Sequence, residues 1–333
     1  EVNTGQGQYI WEDFNENGIQ ELDEFQIAVN PLIANYIRVS IPSRQLFPST
    51  RISLSGNVKW NLQALPFKKE NFLSSLLKET RLITRFRLTQ QQERENALSN
   101  YLISLGSLED DSTVIQANQF FRQDITFYQN DPLGDVRFFY QNQQSKLFLE
   151  SGNEFRQVSF FGVKPRINFD RNKSFELETS LGRRVARADS FRNRSFNIQF
   201  WEMKPYTNFQ FNQKFRLSVG YEFVNKENLN KNESELTRIQ LHKVVSELRW
   251  NLKERNTLFT SLSLIQVNEV GEISPNTAYE LREGLQKGRN AVGQIVFSVF
   301  LKKNLELNLS YDGRISEVQS VIHSGKIQLR AYF

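Results

Sequence analysis

The last residues of the chain, Ile327-Gln328-Leu329-Arg330-Ala331-Tyr332-Phe333, alternate apolar and polar side chains up to an aromatic terminus. In an extended chain Ile327, Leu329, Ala331 and Phe333 fall on one face, and Gln328 and Arg330 on the other. The same period of two returns along most of the sequence. Phe215, Leu217, Val219, Tyr221 and Phe223 alternate with Arg216, Ser218, Gly220 and Glu222; Leu305, Leu307, Leu309 and Tyr311 alternate with Glu306, Asn308, Ser310 and Asp312. Further apolar rows are Phe175, Leu177 and Leu181; Ile295, Phe297, Val299 and Leu301; and Ile52, Leu54, Val58, Trp60 and Leu62. Alternation sustained at this density means strands with one apolar face. Repeated over the chain, it predicts an all-β fold, a transmembrane antiparallel up-and-down β-barrel of about 14 strands.

Composition agrees with strands and excludes a membrane helix. Charged residues make up 24% of the chain and mean hydropathy is negative, so no run reaches the ~18 apolar residues that a spanning helix needs. A barrel strand needs only about 9–11 residues, every second one apolar. The chain has 28 Phe against one Met and 16 Gly, and aromatic residues favour strands and mark the two interfaces of a barrel. Cysteine is absent, which removes disulfides, thiolate zinc sites and cysteine nucleophiles. The net charge of +5 is spread among acids rather than gathered on one face, so no nucleic-acid partner is expected. Basic residues at loops and rims fit lipid head groups instead. No signal peptide opens the chain at Glu1, so the sequence reads as mature or as part of something longer.

Connections alternate in length. Short polar turns fall at Asn130-Asp131-Pro132, 170–173, 212–214, 253–256 and 302–304. Longer ones fall at 189–194, 226–234, 268–280 and 313–319, and the longest, 91–113, is expected to fold into the lumen or cover its mouth. Barrels place short turns on the periplasmic side and long loops outside. Residues 1–33 lack the alternation and form a polar extension, with the barrel at 34–333 and its first strand at 36–45. Without that strand the number is odd, and the N-terminal segment changes side. Pro165 and Pro205 fall on apolar faces inside strands, where local bulges are expected.

The inward positions are charged. Arg81, Arg85, Arg87, Arg122, Lys164, Arg166, Arg184 and Arg216 face in with Asp124, Glu154, Glu176, Glu178, Glu222 and Glu306. Charges mixed in sign cross-link strands in a filled lumen or line a water-filled pore; the balance of sign favours the filled one. One motif carries metal chemistry. In Asp13-Phe14-Asn15-Glu16-Asn17-Gly18-Ile19-Gln20-Glu21-Leu22-Asp23-Glu24, a calcium loop would draw oxygens from Asp13, Asn15, Asn17, the Ile19 carbonyl and Glu24, around a sharp turn at Gly18. The competing reading is an Asn-Gly turn joining two short strands. Catalytic sets are thin: His242 and His323 are the only histidines, and adjacent His323 and Ser324 point to opposite faces of a strand. No catalytic residue is assigned, and both histidines read as interior or rim polar groups.

The segment from Gly5 to Phe25, with Gly5, Gly7, Trp11, Asp13, Asn15, Asn17, Gly18 and Phe25, is followed by Ala34-Asn35-Tyr36-Ile37-Arg38-Val39. It resembles a family of large outer-membrane proteins of Bacteroidota, and the ending His323–Phe333 is similar to that family's ending. The resemblance implies the C-terminal β-barrel region of a longer precursor in the bacterial cell outer membrane, and carries no catalytic residues. The expected role is a non-enzymatic anchor and scaffold subunit of a multi-protein outer-membrane complex. The expected partners are lipid or lipopolysaccharide and other outer-membrane or periplasmic proteins, and a structural calcium is the one candidate cofactor. A porin-like transport channel and an outer-membrane hydrolase are the alternatives.

Overall fold

The structure, a computed structural model, describes all residues except 14–17, 19, 21–23, 29–32, 38, 40–47, 63–75, 94–107, 109–112, 150–151, 190–194, 230–236, 254, 272–274, 319 and 333. The chain divides into two compact units, Glu1–Pro48 and Ser49–Phe333. In the first, β1 (Tyr9–Trp11) pairs antiparallel with β2 (Phe25–Ile27). Tyr36 bridges to Tyr9, so the described part of the expected strand at 36–45 pairs within this unit; its residues 38 and 40–45 lie outside the described residues.

The alternating runs of the second unit become one antiparallel sheet. Its strands are β3 (Ser49–Asn61), β4 (Arg81–Glu93), β5 (Val114–Phe127), β6 (Gly134–Leu149), β7 (Gly152–Asp170), β8 (Lys173–Ala188), β9 (Phe196–Asn212), β10 (Phe215–Asn228), β11 (Thr237–Lys253), β12 (Asn256–Val270), β13 (Gly288–Lys302), β14 (Leu305–Ser316) and β15 (Ile322–Ala331). Each pairs with its neighbours in sequence, giving thirteen strands among the described residues, from edge β3 to edge β15. The expected number was about 14, counting a strand at 36–45 that lies mostly outside the described residues; the chain enters β3 at the end carrying the long connections, where Ser49 pairs with Glu93. The short turns fall where the sequence places them, with one departure: β3 and β4 are joined at the short-turn end by the long stretch 62–80.

Pairing fixes which residues share a face, because directly opposed residues point the same way. Arg85 lies opposite Arg122, Arg122 opposite Gln141, Gln141 opposite Phe160, and Phe160 opposite Gly182. Every charge read as inward belongs to this one face. The prolines break the ladder without a bulge. Pro165 pairs with Val136 and Pro205 with Leu177 on one side, while the pairing on the other side lapses around each and resumes in the same register. A residue without an N–H loses the bond on one side only, so no extra residue is inserted.

Sheets of more than about ten strands curl, and this one is built to. On the inner face an aromatic ring lies over the glycine of a neighbouring strand: Phe139 over Gly162, Phe200 over Gly182 and Tyr206 over Gly220. A methyl group at Gly220 would come within 2.3 Å of the Tyr206 ring. Gly220→Val is therefore expected to cost about 1–3 kcal/mol through overpacking, read by urea unfolding. Gly325→Ala, which meets nothing within 4 Å, serves as the neutral control.

Candidate functional site

The outer face carries an apolar band. Trp60, Phe121, Phe138, Phe161, Leu181 and Trp201 lie on it with Val219, Val244, Trp250, Leu262, Ile295 and Leu329, all exposed by 39% or more. Thirteen strands about 4.8 Å apart, each followed over roughly 30 Å of its length, make a face of well over ~1,000 Å², beyond the few hundred Å² that soluble monomers expose. Aromatic residues gather at its two margins, with Trp60, Phe209, Phe211, Phe215 and Trp250 near the short turns and Phe121, Tyr140, Phe161, Trp201 and Phe223 on the other side. Between Trp201 and Phe211 the strand rises roughly 33 Å, which at a tilt near 45° projects to about 23 Å, the height of a barrel's apolar band.

Beyond that band, toward the long connections, the two faces exchange polarity. Outward positions become Gln199, Asn225, Glu227, Arg238, Gln240 and Asn268. Inward positions become Ile198, Val224, Ile239, Leu241, Ile265 and Val267, a buried apolar cluster completed by Leu281. Leu281 ends a short helix, α1 (Pro275–Leu281), lying within the connection from β12 to β13. Along one sheet, the apolar face thus switches from the outside over one length to the inside over the next.

Three strands hold α1 and the residues after it. Arg184 of β8 donates to Glu280 at 3.0 Å, and Arg282 donates to Glu269 of β12 at 2.5 Å. Between them the buried Lys226 ammonium of β10 donates to the Leu281 carbonyl at 3.1 Å and to Glu283 at 2.8 Å. In a flat sheet β8 and β12 would stand about 19 Å apart; curling brings both onto neighbouring residues of one segment. Burial pushes the Glu283 carboxyl up, but the Lys226 charge and hydrogen bond outweigh it and hold the group below the usual carboxylate range.

Lower down, the inner face is a lattice of opposite charges. Asp124 is buried between Arg85, at 2.6 Å, and Arg122, at 3.1 Å. Lys164 bridges Glu176 and Glu178 at 2.9 and 3.4 Å, Lys243 meets Glu222 at 3.1 Å, and Arg166 pairs with Asp135 and Lys204 with Glu202. Opposite charges hydrogen-bonded across strands stiffen a wall.

Of the two expected placements of the histidines, the outward one holds. His242 and His323 both face outward, with Nδ1 2.6 Å from the hydroxyl of Tyr221 and of Tyr311 respectively. Beside the first pair lies an outer-face groove of ≈ 540 Å³, lined by Tyr221, His242, Val244, Leu264, Ala291 and Ile315. In its described part the long stretch 91–113 packs on the outer face of the sheet: Leu108 is buried against Val114, Ala117 and Phe155, and Ala117 and Phe155 are outward residues. The inner element is α1 instead, which the sequence reading missed. Its signals are Pro275 at the first helical position and Ala278 and Leu281 three apart.

Of the candidate calcium ligands, Asn15, Asn17 and Ile19 lie outside the described residues. Asp13 Oδ2 accepts the Gly18 N–H at 2.8 Å, and Gly18 holds a left-handed φ of 71°. Glu24 is buried; its Oε2 accepts the Trp11 indole N–H at 2.8 Å, and its carbonyl accepts the Glu12 N–H at 3.1 Å. These bonds and the Trp11–Phe25 pairing close the ends of the loop. Among the described residues, no group of three or more His, Asp or Glu is arranged to hold a metal ion. No family model matches the chain, and no curated protein matches it.

Proposed function

We propose that Ser49–Phe333 is a β-barrel in the outer membrane of a bacterial cell, serving as a non-enzymatic anchor and scaffold subunit of a multi-protein complex. One observation carries this reading: the exposed apolar outer band gives way, along the same strands, to a polar outer surface over an apolar inside. Hydrocarbon is the solvent that makes the first part favourable, and water the second. The outer groove beside Tyr221 and His242 then lies at the lipid interface, where an acyl chain or lipopolysaccharide fits its apolar floor. Open sheet edges are untenable in hydrocarbon, so a barrel in the membrane needs both edges, β3 and β15, to be paired. The short turns face the periplasm. The resemblance to large Bacteroidota outer-membrane proteins supports the location.

Scaffolding is favoured over transport because α1 packs on the inner face and opposite charges pair across it. Purified protein in planar bilayers is expected to show no stable conductance, and capture from native membranes to recover defined partners at near-equal amounts. Large, stable current steps from a partner-free protein would overturn the reading.

The Asp13–Glu24 loop is assigned a structural calcium in the same proposal, on the spacing of its oxygens and the left-handed turn at Gly18. Calcium at about a hundred times its dissociation constant should stabilise the N-terminal unit by about 2.7 kcal/mol. Asp13→Ala and Glu24→Ala should each abolish that calcium-dependent rise in Tm. Glu24→Ala also loses the Trp11 bond, so the difference with and without calcium is the readout. A parent protein indifferent to calcium would end the assignment.

A further inference from the structure

The thirteen strands alternate in direction, so the first and the last run the same way. β3 and β15 both run from the long-connection end to the short-turn end, and each lacks a partner strand on one side among the described residues. Joining them directly would need a parallel ladder in a sheet that is otherwise antiparallel throughout. An antiparallel seam needs one more strand, running the opposite way.

The two edges are alike in chemistry. Neither β3 nor β15 contains an acidic residue, and their cations, Arg51, Lys59, Lys326 and Arg330, all fall on the inner face. Arg87 of β4 joins them there, opposite Ser55. Among the described residues Arg51, Lys59, Arg87 and Lys326 form no ion pair; of the inward cations toward the middle of the sheet, Arg122, Lys164, Arg166 and Lys243 meet an acid, while Arg137, Arg156, Arg216 and Arg249 do not. What sets the edges apart is that neither edge strand offers any acid to its cations. On the other face the edges expose Leu54, Val58, Trp60, Ile327 and Leu329.

We propose that the seam between β3 and β15 receives one strand from a separate polypeptide, antiparallel to both, with apolar residues outward and acidic residues inward. Main-chain hydrogen bonds would supply affinity, and the alternating faces specificity. The stretch leading into β3 is a poor substitute. Residues 38–47 contain Arg38, Arg44 and Pro42 and no acid; they would add like charge and lose ladder bonds. A second copy offers edges with the same cations. Lysines that only blunt an edge would accept no strand at all.

The test uses the whole chain in detergent micelles, so it does not depend on whether the outer band meets lipid. Two ten-residue synthetic peptides are added, one alternating valine with glutamate and the other valine with lysine, and amide hydrogen exchange is followed on β3 and β15. The glutamate peptide should slow exchange at both edges by roughly tenfold or more, and the lysine peptide should not. A Lys59→Glu/Lys326→Glu chain, which keeps Arg51, Arg87 and Arg330, should lose most of the preference; the two peptides on the unaltered chain decide the matter if that variant fails to fold. The proposal is overturned if the edge amides of the protein alone exchange as slowly as those of β9 and β10. Equal protection by both peptides, or protection by neither, also overturns it.

Discussion

Leu262→Arg is expected to destabilise the membrane-inserted protein by about 2–4 kcal/mol, the cost of a cation near the middle of a barrel's lipid face. Ser261→Arg, one residue away, is expected to cost less than about 1 kcal/mol. Leu262 points outward within the apolar band and is 51% exposed. Ser261 points inward, opposite Glu247, where an arginine gains a carboxylate. The measurement is reversible urea unfolding of each variant in lipid vesicles. The contrast is diagnostic because an arginine at a half-exposed site in water would change stability by no more than about 0.5 kcal/mol. Equal, small effects at both positions would mean that the outer band meets water.

The second large effect is expected at α1. Glu283→Ala leaves the buried Lys226 ammonium with only the Leu281 carbonyl. Stripping one partner from a buried pair costs about 3–5 kcal/mol, and the lower end applies here because Glu283 is itself partly exposed. The loss should appear as faster amide exchange across Pro275–Leu281. It should be largely recovered by Lys226→Met/Glu283→Gln, which removes both charges together. The pH dependence has a definite sign. Since Glu283 is held below its ordinary range, its contribution is present above the unfolded value of about 4.3 and is lost as pH falls through the lower folded value. Acidification below about pH 4 should therefore loosen α1 in the parent and change Glu283→Ala little.

Much of this architecture is written in the sequence, because a period of two decides which side chains share a face. Arg85, Lys164, Glu178 and Glu222 could be placed inward, and Leu217, Leu309 and Ile327 outward, before any pairing was known. The turn positions followed from Asn, Asp, Lys and Pro at the breaks. What was not legible is what depends on contacts across the sheet. α1 is seven residues long, too short for helical periodicity to register, and its place is set by Arg184, Lys226 and Glu269 from three separate strands. Polarity left His242 and His323 as interior or rim groups; each occupies an outward position where a tyrosine hydroxyl satisfies it. The prolines suggested bulges because a missing donor and an inserted residue leave the same mark on a sequence. The strand at 36–45 could not be separated from the N-terminal unit by pattern alone, since Tyr36 suits either ladder.

The claim on which the account turns is that the outer face of the sheet lies in hydrocarbon. The chain holds its own probes: Trp60, Trp201 and Trp250 all face outward at the margins of the band, and Trp11 lies in the other unit. Single-tryptophan variants reconstituted into vesicles of lipids brominated at defined depths should show quenching of Trp60, Trp201 and Trp250, strongest for bromine near the interfaces, with Trp11 unaffected. If Trp60, Trp201 and Trp250 are quenched no more than Trp11, the sheet does not lie in the membrane.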